Sequence, residues 1–132
     1  MIGLDTNVLV RYVVQDDPLQ SASATRLIEG TLSAEEPGFV TLVTLAELEW
    51  VLEDCYGAGR KQVFNVIEGL LMSRQLRVEN PDVAWRALRA WKDSKADLSD
   101  AIIGQASLAA GCEKVATFDK AASQLDGFTL LR

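Results

Sequence analysis

Four acidic residues stand where carboxylate chemistry is natural. Asp5 directly follows a short apolar run, residues 1–4, that reads as a buried strand, and Glu47 lies just inside the helix after a second strand candidate, residues 37–40. Asp100 opens a later helix, and Asp119 follows a further strand candidate, residues 114–117. Each has a structural explanation by itself. Asp5 and Asp119 can cap the helices after them, and Glu47 completes a capping box begun by Thr44. Asp100 in a first turn gains about 0.3–1 kcal/mol from the helix dipole. Their placement together weighs more, because ligands of parallel α/β sheets bind at the carboxyl edge of the strands, where residues distant in sequence meet. Crowded carboxylates repel one another unless they are protonated or neutralised. With no histidine in the chain, a hard, oxygen-liganded Mg²⁺ or Mn²⁺ is the natural neutraliser. A metal so held beside an anionic substrate suits phosphoester hydrolysis: it polarises the phosphoryl oxygen and lowers the pKa of the attacking water.

The composition narrows the field further. The chain has 132 residues, with 19 acidic and 13 basic side chains and a net charge of −6. The lack of histidine excludes Ser-His-Asp and Cys-His nucleophile pairs and the zinc motifs that combine histidine with cysteine. The negative charge argues against holding nucleic acid by bulk basic charge. Cys55 and Cys112 stand alone, which fits small buried apolar residues in a reducing cytoplasm. No apolar run approaches the ~20 residues of a membrane span, and the start carries no signal-peptide pattern. A soluble cytoplasmic protein of one domain, residues 1–132, is expected.

The elements that must position these acids alternate. After the first strand, residues 8–14 read as a brief helix. Asp17-Pro18, with Gln20 three residues beyond the aspartate, starts another that runs to about Leu32. The helix opened by Thr44 carries Leu45, Leu48, Leu52 and Cys55 along one stripe. Residues 56–59 break it, and a further helix turns Val63, Phe64, Ile67, Leu70 and Leu71 to the core. Residues 76–78 form a weak strand, and Asn80-Pro81 cap a helix with Ala84, Ala87, Leu88 and Trp91 at helical spacing. The helix begun within residues 97–100 stops at Gly111, and a last strand covers residues 128–131. Short apolar strands between helices mean an α/β domain with a mainly parallel sheet covered by helices.

Four ordered blocks resemble the PIN-domain family. They are Ile2-Gly3-Leu4-Asp5-Thr6-Asn7, Thr44-Leu45-Ala46-Glu47-Leu48, Asp97-Leu98-Ser99-Asp100-Ala101-Ile102-Ile103 and Ala116-Thr117-Phe118-Asp119-Lys120. The short form is most similar to the VapC-type toxins of bacterial toxin–antitoxin pairs. The resemblance implies a PIN-like, Rossmann-like sandwich and Mg²⁺- or Mn²⁺-dependent endoribonuclease activity. By position it makes Asp5, Glu47, Asp100 and Asp119 the catalytic and metal-binding quartet, with Asp97 auxiliary. Thr6 and Asn7 would shape the first acid's turn, with Asn7 also placed to hydrogen-bond the cluster, and Thr117 would contact a ligand-bound water or order the last loop. It also implies an RNA substrate, a homodimer and a small antitoxin that inserts a segment near the site.

Other features carry two readings each. Arg86, Arg89, Lys92 and Lys95 form a basic ridge, read first as a solvated helix face and second as a guide for an RNA backbone. Arg11 and Lys120 are smaller candidates for phosphate contact. Trp91 falls on the core stripe, whereas Trp50 and Trp85 are open to a base-stacking role. Phe64, Leu71 and Met72 serve either the core or a dimer interface. Two other function classes compete with the ribonuclease. An aspartyl-phosphate phosphatase of the dehalogenase-like kind needs a second acid two residues after the first, where Asn7 stands. A non-catalytic metal- or protein-binding scaffold would use the acids only to hold loops.

Overall fold

The computed structural model describes all residues, 1–132, which fall into two compact units, Met1–Glu79 and Asn80–Arg132. The first unit begins with β1 (Ile2–Gly3), and Leu4 extends its pairing by donating its N–H to the Phe39 carbonyl. Asp5 then turns the chain into α1 (Thr6–Val14). Asp17 caps α2 (Pro18–Thr25) by accepting from the Gln20 N–H at 3.0 Å, with Pro18 in the first turn as expected. The helical path continues through residues Arg26–Thr31 in a wider π-type winding before β2 (Gly38–Val40). α3 (Leu42–Trp50) likewise widens over Val51–Cys55, and α4 (Arg60–Met72) leads to β3 (Leu76–Val78).

The three strands lie in the order β1-β2-β3, all parallel, with Ile2 opposite Gly38 and Gly38 opposite Leu76. Their carboxyl ends therefore share one edge, where Asp5, Thr41 and Glu79 stand. Leu9, Val40, Leu45, Leu48, Val63 and Ile67 are essentially inaccessible and form the heart of this unit's core.

The second unit comprises α5 (Pro81–Lys92), α6 (Leu98–Ala109), β4 (Val115–Thr117) and β5 (Phe128–Leu130), with β4 and β5 parallel. A short 3₁₀ turn, Ala122–Gln124, bridges the two strands. α5 packs on α6. Gly111 follows α6 at φ +101°, a left-handed conformation that glycine adopts without the Cβ clash other residues meet. The expected α/β class with a mainly parallel pairing is borne out, since every strand pair in the chain is parallel.

Two expectations about local structure need correction. Thr44 does not cap α3. Thr41, directly after β2, takes that place, and its Oγ1 accepts from the Thr44 N–H at 3.1 Å. A threonine at the very end of a strand can cap at once, so the helix starts three residues early and Glu47 lies beyond its first turn. Cys55 and Cys112 are exposed rather than buried. The widened winding after Trp50 rotates Cys55 off the stripe that keeps Leu45, Leu48 and Leu52 inside. Glu49, on the same helix, is buried, at 3% exposed.

Two glycines in helices predict opposite responses to a methyl group. A Cβ on Gly69 in α4 meets nothing within 4 Å, so Gly69→Ala is expected to stabilise the chain by about 0.5–1 kcal/mol. A Cβ on Gly104 in α6 falls 2.4 Å from Phe128 Cε1. Gly104→Ala should therefore destabilise by about 1 kcal/mol despite its gain in helix propensity. Thermal melts of the two variants check both signs.

Candidate active site

The first unit ties two of the predicted acids together through one hydroxyl. Asp5 caps α1, its Oδ1 accepting from the Thr6 N–H at 2.8 Å. The buried Thr6 side chain then donates from Oγ1 to Glu47 Oε1 at 2.6 Å. This bond joins the start of α1 to the middle of α3 and fixes the Glu47 carboxylate beside the Asp5 turn. Each acid has one oxygen held by a protein donor and the other unbonded. Asn7, exposed in the first turn of α1, lies on the wall of a groove of about 360 Å³.

Sequence reasoning passed over Glu79. It directly follows β3 as Asp5 follows β1, and its Oε1 accepts the Leu42 N–H at 3.0 Å, which caps α3 from a neighbouring strand end. That position after a strand was the signal that could have found it. Its role is to seat the helix that carries Glu47.

The second unit gathers the other three acids. Asp97 is the N-cap residue of α6 and Asp100 lies in its first turn, with the Asp100 N–H donating to the Asp97 carbonyl at 3.1 Å. Burial pushes the Asp100 carboxyl above its ordinary range, and the negative charges of Asp97 and Asp119 push it further. A hydrogen bond from the Asp97 backbone opposes them in part. Asp119 is held at both ends of its turn. Its N–H donates to Thr117 Oγ1 at 3.0 Å, and its Oδ1 accepts from the Ala122 N–H at 3.0 Å. Thr117 thus orders the loop after β4, as the sequence implied.

A carboxylate crowded by other acids, as Asp100 is, suits a hard cation, whose charge would offset the repulsion. The chain brings no three or more such side chains together at metal-holding distance. Carboxylate oxygens are the donors that Mg²⁺ or Mn²⁺ takes.

The basic candidates divide. Arg11 is engaged: Nε donates to Gln20 Oε1 at 2.8 Å, and Nη1 reaches Asp16 Oδ1 at 3.1 Å and Tyr56 Oη at 3.3 Å. Arg89 and Lys92 are exposed on α5, and Lys120 is exposed beside Asp119. Trp91 is fully buried, as its stripe position required, while Trp50 is 57% exposed. On α4, Phe64 is buried in the core, Leu71 is half-buried and Met72 is exposed. No helix is long and apolar enough to cross a membrane.

A comparison with protein-family profiles matches the PIN domain over residues 2–127, a span that takes in all five acids. A search of curated proteins finds no match. PIN domains are nuclease folds, so a nucleic-acid substrate and hydrolytic chemistry follow at that general level. With its four acidic blocks in order and its strands paired in parallel, this chain belongs to the PIN-domain family.

Proposed function

We propose that the chain is one PIN domain, residues 1–132, acting as a Mg²⁺- or Mn²⁺-dependent endoribonuclease, the toxin of a type II toxin–antitoxin pair. The observation that carries this reading is the way the acids are held. Asp5, Glu47 and Asp119 each have one oxygen fixed by a protein donor and the second unbonded, and Asp100 has its proton affinity raised by burial and by the acids around it. Asp5, Glu47, Asp100 and Asp119 would hold the metal, with Asp97 as an auxiliary ligand. When bound, the ion supplies Lewis-acid polarisation of an RNA phosphodiester. The protein's own part is orientation: Thr6 holds Glu47, Thr117 holds the Asp119 turn, and Asn7 lines the approach. Lys120, Arg89 and Lys92 are candidates for phosphate contact, and Arg11 is already committed to its neighbours.

A mostly apolar groove between α1 and α2 supports the antitoxin partner. It is lined by Asn7, Val8, Leu19, Ala24 and Leu27, and Leu19 is 83% exposed. An exposed leucine beside such a groove suits a partner's apolar segment, close in sequence to Asp5. Exposed Met72 serves the homodimer in the same way. The exposed thiols of Cys55 and Cys112 suit a reducing cytoplasm.

Mapping RNA ends after expressing the chain without its partner tests this function. Defined new ends that vanish with Asp5→Asn support it, and an unchanged RNA pool counts against it. The hydroxyl bond between Thr6 and Glu47 adds a second test. Thr6→Val keeps the shape but loses the donor, so cleavage should fall about tenfold, with Thr6→Ser restoring it. The caps made by Asp5 and Asp119 are all that a scaffold needs. That reading predicts a stability loss in Asp5→Asn with no turnover to lose.

A further inference from the structure

The negative charge of this chain is not spread evenly. Met1–Glu79 holds twelve acidic and six basic side chains, whereas Asn80–Arg132 holds seven of each. The whole excess of −6 therefore belongs to the first unit, and the second is neutral. Four of the second unit's seven bases fall within residues 86–95, where Asp93 is the sole acid. At the pitch of an α-helix, Trp85, Arg86, Arg89 and Lys92 share an arc of about 120°, opposite the buried Val83, Ala87 and Trp91. Arg86 and Arg89 are exposed, and Trp85 is half-buried. The Arg89 guanidinium lies over the Trp85 ring, 5.7 Å from its centroid. This pair presents a planar cationic surface, to which an unpaired base can stack and a phosphate can hydrogen-bond.

We propose that this face of α5 is a single-stranded RNA track, with Trp85 and Arg89 as its base-stacking platform and Arg86 as its phosphate contact. Only unpaired strands expose base faces to such a platform, so the track selects single strands over duplex. α5 ends at Lys92 and Asp97 caps the next helix five residues on, so the acids lie no more than about 18 Å of chain beyond it. A strand seated on α5 thus lies close in the chain to Asp97. The track rests on the nuclease reading for its purpose but not for its binding, which needs no metal.

The test measures anisotropy of a labelled single-stranded 12-mer RNA and of its duplex in EDTA, where cleavage cannot interfere. Arg86→Glu with Arg89→Glu should weaken single-strand binding at least tenfold and flatten its salt dependence. Arg74→Glu with Arg77→Glu, an equal charge change at exposed sites of the first unit, should change it less than twofold. RNA should quench tryptophan fluorescence in Trp50→Phe but not in Trp85→Phe. Unchanged affinity in the α5 variant, equal loss in the control pair, or duplex bound as tightly as single strand would overturn the track. So would equally tight binding of poly-glutamate without quenching, since the face would then suit an acidic protein. Selective loss of binding with no metal-dependent cleavage by the unaltered chain upholds the track and sinks the nuclease reading. Intact cleavage with unchanged binding in the variant does the reverse.

Discussion

Asp100→Asn is expected to abolish RNA cleavage, by about 10³-fold or more, and at the same time to raise the melting temperature at neutral pH. In the proposed metal site the substitution removes a charged ligand, a contribution of several kcal/mol at roughly 1.4 kcal/mol per tenfold in rate. The gain follows from what surrounds the carboxylate. Burial and the charges of Asp97 and Asp119 raise its pKa above the ordinary 3.8, so the folded chain holds the charged form at a cost. That cost is complete at neutral pH, is relieved as pH falls through the raised folded value, and is gone below about 3.8, where both states are protonated. Because the group is part-exposed, solvent screening keeps the rise small. Melts of both proteins from pH 7 to pH 4 should converge as acid is added. Mg²⁺ should raise the melting temperature of the unaltered chain, in proportion to the logarithm of its concentration once saturating, and leave Asp100→Asn little changed. A variant that is both inactive and less stable would mean that Asp100 is held for structure.

Two tryptophans on α5 should respond in opposite ways. Trp91 is fully buried, and Trp91→Ala leaves a void whose walls cannot close, costing about 3–5 kcal/mol. Against a typical total of about 5–15 kcal/mol, that loss leaves the chain marginal or unfolded. Denaturant melts should show a large fall in midpoint, and activity should vanish with the fold. Trp85 lies on the opposite face of the same helix, half-buried beneath the Arg89 guanidinium. Trp85→Ala should cost no more than about 1 kcal/mol, the worth of an exposed cation–π pair, while weakening RNA binding. Equal destabilisation by both would show that Trp85 is part of the core and not a platform.

The capping roles of Asp5 and Asp119 were readable from the sequence because each closely follows a short strand. Asp5 follows residues 1–4 and Asp119 follows β4, and both make the capping bonds their positions forecast. Trp91 was readable too, since helical spacing places it among Ala84, Ala87 and Leu88. What holds Glu47 was not. Its partner Thr6 lies 41 residues away, and no local pattern reports a bond across that separation. The start of α3 was misplaced because Thr41 and Thr44 are both able to cap, and only the end of β2 decides between them. The wider winding at Arg26–Thr31 and Val51–Cys55 leaves no compositional mark, so the exposure of Cys55 could not be foreseen. Glu79 escaped notice because its function is to cap a helix that begins 37 residues earlier.

The central claim of the proposed function is that Asp5, Glu47, Asp100 and Asp119 serve one metal-dependent cleavage of RNA. It is tested most directly by incubating the purified, partner-free chain with a single-stranded RNA, first in EDTA and then with added Mg²⁺ or Mn²⁺. Asp5→Asn and Asp100→Asn, prepared side by side, control for contaminating nuclease. Cleavage should start only with the metal and be lost in both variants while their melts remain cooperative. Cleavage that proceeds in EDTA, or that survives in either variant at the rate of the unaltered chain, would contradict the account.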